Sequence, residues 1–150
     1  MAVTVVLEDI VEALEMQFEE MPSFVDLETG QVHTVSRDEV RAAEEDEEGD
    51  EEQDEEWKLL RRIAFMDNVL ALPDQFEVDE RSIMEEFSKS VKNDRIRDEL
   101  LRAIHGKGAF RHFKDTVKRH RIDQDWYDFR DAALRQIAID WCEEHHLAWK

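Results

Sequence analysis

Apolar residues Leu7, Ile10, Val11, Leu14 and Phe18 recur every three or four positions, with Glu8, Glu12, Glu15 and Glu19 between them. This spacing predicts an amphipathic helix from about Leu7 to Glu19, ended by Pro22. Before it, the β-branched run Val3-Thr4-Val5-Val6 suits a short strand. After it the pattern becomes strand-like: Ser23–Leu27 and Gln31–Val35 flank Glu28-Thr29-Gly30. A Gly late in such a loop supplies the positive φ of a type I turn with a G1 bulge, so the segment reads as a β-hairpin. A hairpin alone is marginal in water, and the apolar run Asn68–Leu72 before Pro73 offers a further strand. Ser36 followed by Glu39 has the capping-box pattern and opens a short helix to about Glu44.

The C-terminal half is helical in pattern. Trp57, Leu60, Ile63 and Ala64 fall on one helix face. Asp79 suits an N-cap for a helix with Ile83, Met84, Phe87 and Val91 inward, ending near Lys92. Asn93 or Asp94 opens the next, with Ile96, Leu100, Ala103 and Ile104 inward, an Asp98–Arg102 ion pair at i,i+4, and Gly106 as C-cap. Phe110, Phe113 and Val117 then share a face over about residues 108–120, with Arg111, Lys114 and Lys118 as a cationic row beside them. The last helix, about Asp123 to Glu144, carries the stripe Trp126, Phe129, Ala133, Ile137 and Trp141. The expected architecture is α+β and mainly helical: a small antiparallel sheet, made of the hairpin plus one or two short strands, packed with a C-terminal helical bundle. Residues 1–150 are expected to form a single domain, which is the usual outcome at this length.

Charge changes the picture mainly through its distribution. The formal net charge is −19, yet residues 57–150 hold 18 acids and 18 bases. Residues 1–43 hold ten acids and two bases, and residues 44–56 (EEDEEGDEEQDEE) hold 11 acids and no base. Like-charge repulsion and the lack of apolar residues make 44–56 an expected solvated, disordered loop. It lacks the spacing of an EF-hand calcium loop. Residues 89–121, by contrast, carry 11 Lys/Arg against four Asp/Glu.

Candidate chemistry concentrates in residues 106–141. Lys107, Arg111, Lys114, Lys118 and Arg130 are the candidate binding residues. Arg111, Lys114 and Lys118 form a helix surface, extended by Arg119, Arg121, His112 and His120, that can contact anions. Lys107 lies in the Gly106–Gly108 turn, beside a helix N-terminus that can hold an anion. Arg130 falls inside the apolar stripe of the last helix, which costs free energy unless the charge is paired. It therefore either meets a carboxylate or lines a ligand groove, and pairing is the commoner outcome. The turn is neither a P-loop nor a dinucleotide-binding loop, and two Gly at a helix junction are more simply a cap and a tight turn. Cys142, His145 and His146 lie close in sequence, but adjacent His side chains on a helix diverge by about 100°, so no metal site is expected. Glu143 and Glu144 disfavour a Cys142 thiolate, and no nucleophile signature is present. No catalytic residue and no cofactor is assigned.

The run Gly106-Lys-Gly-Ala-Phe-Arg-His-Phe-Lys114, with Trp126-Tyr-Asp-Phe-Arg130 and Trp141, resembles a bacterial uncharacterised protein family (UPF class) with the pattern G-x-G-A-F-R-x-F-K followed by W-Y-x-F-R. Leu7–Leu14, the Leu27–Val32 hairpin, Leu72-Pro73 and Met84–Phe87 fit the same resemblance, which spans most of the chain apart from the acidic tract. It implies no activity and no catalytic residues.

The N-terminus has no basic leader and no window approaches a membrane span, so a cytoplasmic protein is expected. With a single Cys, no intrachain disulfide can form. The function expected is a non-enzymatic binding or regulatory module that uses the basic 106–121 helix and the adjoining groove, with a protein as partner. The alternatives are a nucleic-acid-associated regulator, which the negative net charge disfavours, and an enzyme acting on an anionic small molecule held by Lys107, Arg111 and Arg130.

Overall fold

The structure is a computed structural model and describes residues 3–16, 19–45 and 55–150, with backbone alone at 75 and 76. The chain is α+β and mainly helical, and it divides into two compact units. Unit 1 comprises Met1–Val78 and Ile137–Lys150; unit 2 comprises Asp79–Gln136.

Unit 1 begins with β1 (Thr4–Val5) and α1 (Leu7–Glu15). In α1 Leu7, Ile10, Val11 and Leu14 are buried, as their spacing requires. Each such side chain removed from water contributes about 1.5–3 kcal/mol. The helix ends at Glu15, short of the Glu19 that periodicity suggests, and Phe18 lies outside the described residues. Strands β2 (Ser23–Asp26), β3 (Val32–Thr34) and β4 (Val69–Ala71) form an antiparallel sheet in the order β3-β2-β4. The hairpin and its third strand are thus where hydrophobic patterning puts them. Phe24 stands opposite His33 on one side of β2 and opposite Ala71 on the other.

The hairpin turn depends on Gly30. Its φ is +80°, and a Cβ added there would lie 2.4 Å from the Thr4 carbonyl oxygen of β1. Positive φ and a backbone neighbour act together, so no side chain can be accommodated without moving β1. Gly30→Ala is expected to lower stability by about 2 kcal/mol, read as a reduced urea midpoint with unchanged slope.

α2 (Arg37–Glu45) and α3 (Glu55–Ala64) follow, with Ser36 Oγ accepting from Asp38 N at 3.2 Å. Glu44 and Glu45 belong to α2, and Glu55 and Glu56 to α3, so the acidic tract is helical at both ends. The expected loop character of its middle, 46–54, lies outside the described residues. Arg62 of α3 reaches Asp26 of β2 in a two-pronged ion pair, Nη1–Oδ2 3.2 Å and Nη2–Oδ1 2.7 Å. Asp26 is buried and also accepts from Glu28 N at 2.9 Å. Arg62 holds the Asp26 carboxyl below the usual carboxylate range, against the opposing effect of burial. The short α4 (Gln75–Val78) closes this run, and the chain's last strand, β5 (Ala148–Trp149), pairs in parallel with β1. Leu7 N donates to Lys150 O and Lys150 N to Val5 O, both at 3.0 Å.

Unit 2 consists of α5 (Glu80–Ser90), α6 (Asp94–Ala103), α7 (Ala109–Arg119) and the first part of α8 (Asp123–Glu144). The boundary between units falls inside α8, after Gln136. Asp79 caps α5 through Ser82 N, and Asn93 caps α6 through Arg95 N and Ile96 N. Arg102 Nε donates to the carbonyl oxygen of Asp98 at 3.3 Å. The core of the unit is aromatic. Phe113 and Trp126 meet edge to face at 4.8 Å between centroids, and Phe87 contacts both, at 6.2 and 5.4 Å. Phe129 joins through Phe87 at 5.5 Å.

Candidate functional site

The cationic surface sits on α7. Gly106 (φ +90°) and Gly108 (φ +71°) turn the chain out of α6, and Gly108 is the residue from which α7 starts. Phe113, Thr116 and Val117 bury the inner face. Arg111 and Lys118 are exposed and Lys114 is half-buried. At 1.5 Å per residue the three lie about 4.5 and 6 Å apart along the axis. None of the three forms an ion pair with a carboxylate among the described residues. Lys107 is exposed in the turn that leads into the helix.

Phe110 departs from expectation. Periodicity puts it in the core with Phe113, yet Phe113 is fully buried and Phe110 is 45% exposed. It lies in the first turn of α7, one helical turn before Lys114, whose Nζ stands over its ring at 4.7 Å. The ring is satisfied there by a cation–π contact rather than by burial.

Of the wider basic surface suggested by sequence, His112 and Arg121 are exposed, and Arg119 and His120 share a carboxylate. Glu99 of α6 takes both Arg119, through Nη2, and His120, whose Nε2 lies 2.7 Å from Glu99 Oε2. These two contacts tie the end of α7 to α6, although the Arg119 side chain stays 58% exposed.

Arg130 is held by Glu80 of α5. Its Nε lies 3.0 and 3.2 Å from the two carboxylate oxygens, and Nη2 donates as well. The Arg130 and Glu80 side chains are only 20% and 29% exposed. This is the carboxylate that an Arg in an apolar stripe demands, because an unpaired charge there is costly. The space between α7 and this part of α8 is filled by Phe113 and Trp126. The structure thus places Arg111, Lys114 and Lys118 on one helix face, Lys107 at its entrance, and Arg130 in a separate ion pair.

Near the C-terminus, Cys142 is buried and its thiol is pushed up to about 11, first by burial and then by the charge of Glu143. The His145 ring packs on Trp141 at 4.9 Å. Among the described residues no group of three or more His, Cys, Asp or Glu is placed to hold a metal ion. Among them, too, no helix is long and apolar enough to cross a membrane.

The described surface is that of a mainly helical α+β protein with a cationic helix face. The chain belongs to the Uncharacterised protein family (UPF0158), which matches residues 2–149. A UPF0158 protein of Pseudomonas aeruginosa is 27% identical over 66 residues, a match that covers 43% of each chain. The match thus takes in less than half of that relative's length. No solved structure matches the chain.

Proposed function

We propose that the chain is a cytoplasmic, non-enzymatic binding or regulatory module whose contact surface is the outer face of α7, and that its partner is a protein with an acidic patch. One observation carries this reading. In a chain of net charge −19 with 39 acidic residues, Arg111, Lys114 and Lys118 still pair with no carboxylate among the described residues. A cationic row left open in an acidic protein is suited to steering and orienting a negatively charged partner. The exposed Phe110 supplies an aromatic contact beside it. The same ring next to the same row also supports a second reading, a stacking platform for single-stranded nucleic acid. The overall negative charge weighs against that reading.

The test is a triple charge reversal, Arg111→Glu, Lys114→Glu and Lys118→Glu, with folding checked by circular dichroism. Proteins retained by the immobilised wild-type chain after nuclease treatment are expected to be retained at least about tenfold less by the variant, because like charges replace three complementary ones. Retention equal to wild type overturns the reading. Gel retardation of a single-stranded oligonucleotide at low salt, lost in the variant, transfers the surface to nucleic acid.

A further inference from the structure

We propose that the outer edge of β3, with the groove beside it and α1, is a docking site for an extended, cationic and apolar segment of a partner protein, which adds to the sheet as a fourth strand. The surface lies wholly within unit 1 and is independent of α7.

The first observation is a set of open backbone groups. In the β2–β3 ladder Asp26 N donates to Gln31 O and Val35 N to Pro22 O, and Phe24 faces His33. In an antiparallel pair, hydrogen-bonded positions alternate with non-bonded ones. Gln31, His33 and Val35 therefore turn their N–H and C=O groups toward β2, while those of Val32 and Thr34 point away from it. Those outward groups have no hydrogen-bond partner among the described residues. They form a short template onto which another strand can pair.

The second observation is a walled groove beside that edge. α1 lies against β3, and beside them is a groove of about 440 Å³ lined by Asp9, Glu12 and Ala13 of α1, Met16 just after it, Met21, and Val32 and Thr34 of β3. Met16 and Met21 are 68% and 38% exposed. Exposed Met side chains make an apolar wall that adapts to different occupants. A free strand edge facing a helix across a groove is the geometry of β-strand addition, where main-chain bonds give affinity and alternate side chains read the groove.

Charge selects the occupant. Asp9 and Glu12 put two carboxylates on the helix wall, and residues 1–43 as a whole carry ten acids and two bases. A second copy of this chain would bring the same acidic surface to the edge, which disfavours self-pairing. A strand with two cationic side chains for Asp9 and Glu12, followed by an apolar one for Met16 and Met21, complements the groove.

The experiment uses the full chain and the peptide acetyl-Lys-Thr-Lys-Thr-Val-Thr-amide, whose Lys, Lys and Val side chains share one strand face. Hydrogen exchange followed by NMR is expected to show the Val32 and Thr34 amides fast in the free protein and slowed when the peptide is added. N-methylating every second peptide amide is expected to weaken binding about tenfold or more in one phase and little in the other, since only one phase removes main-chain donors to β3. Asp9→Lys with Glu12→Lys, both exposed positions on α1, is expected to weaken binding of the unmethylated peptide. The proposal is overturned by equal binding in both methylation phases, which means charge attraction alone, or by no binding. It is equally overturned if Val32 and Thr34 become protected without peptide as protein concentration rises, which assigns the edge to a second copy.

Discussion

Trp126→Ala is expected to be the most damaging single substitution in the helical unit, lowering its stability by about 3–5 kcal/mol. Trp126 is 1% exposed and its ring contacts both Phe113 and Phe87 edge to face. Three elements, α5, α7 and α8, therefore meet through one side chain. Truncation removes its buried area, leaves a cavity between helices, and removes two aromatic contacts worth about 0.5–1.5 kcal/mol each beyond area. Because a domain's whole stability is about 5–15 kcal/mol, this loss is a large share of it. Chemical denaturation checks the prediction through a fall in midpoint, with loss of the near-ultraviolet circular dichroism of the aromatic cluster. A change under about 1 kcal/mol contradicts the packing described.

Arg62→Ala is expected to cost about 2–4 kcal/mol, somewhat below the usual range for breaking a buried ion pair because Arg62 keeps some contact with water. The substitution leaves the buried Asp26 carboxylate facing no guanidinium. The pH dependence has a definite sign. Asp26 titrates below its ordinary 3.8 in the folded protein because Arg62 bonds its charged form. The stability this contributes is complete above the unfolded-state value and is lost as pH falls through the lower folded-state value. Wild type and variant are therefore expected to differ fully at neutral pH and to converge in acid, once Asp26 is protonated in both. Urea midpoints measured from neutral pH down through the acid range below 3.8 test this. A difference that is unchanged in acid assigns the effect to lost Arg62 packing instead.

Much of the fold is legible in the chain because hydrophobic periodicity is local. Leu7, Ile10, Val11 and Leu14 name one buried helix face, and Ser23–Leu27 with Gln31–Val35 and Gly30 name a hairpin. Asn93 and Asp94 both suit the start of α6, and the structure makes Asn93 the cap, accepting from Arg95 N and Ile96 N. The failures have a common cause. Phe110 and Phe113 are equivalent to a periodicity argument, but only one can be covered by α5 and α8, and position along α7 decides which. Strand β5 was not legible at all: Ala148–Trp149 carries no strand pattern of its own and exists through pairing with β1.

The candidate site divides in the same way. The Arg111, Lys114 and Lys118 row is a matter of helical spacing and was readable directly. That Arg119 and His120 pair with Glu99 was not, because Glu99 lies on another helix, 21 residues from His120. The edge of β3 and its groove were invisible until the strand order β3-β2-β4 was known, since nothing in Val32-His33-Thr34 says which strand is outermost.

By itself the sequence determined most of the elements, the apolar face of α1, the cationic row and the choice for Arg130 between a carboxylate and a groove, whereas the buried face of α8 runs through Leu134, Ala138 and Cys142 in place of Ala133 and Ile137. The tertiary structure decided that the carboxylate is Glu80, 50 residues away and one of 39 acids in the chain. It likewise chose Asp26 for Arg62 across 36 residues. The physical reason is range. Amphipathic spacing and capping are set by neighbours within a turn or two, whereas the partner of a buried charge is set by which elements the chain topology brings together.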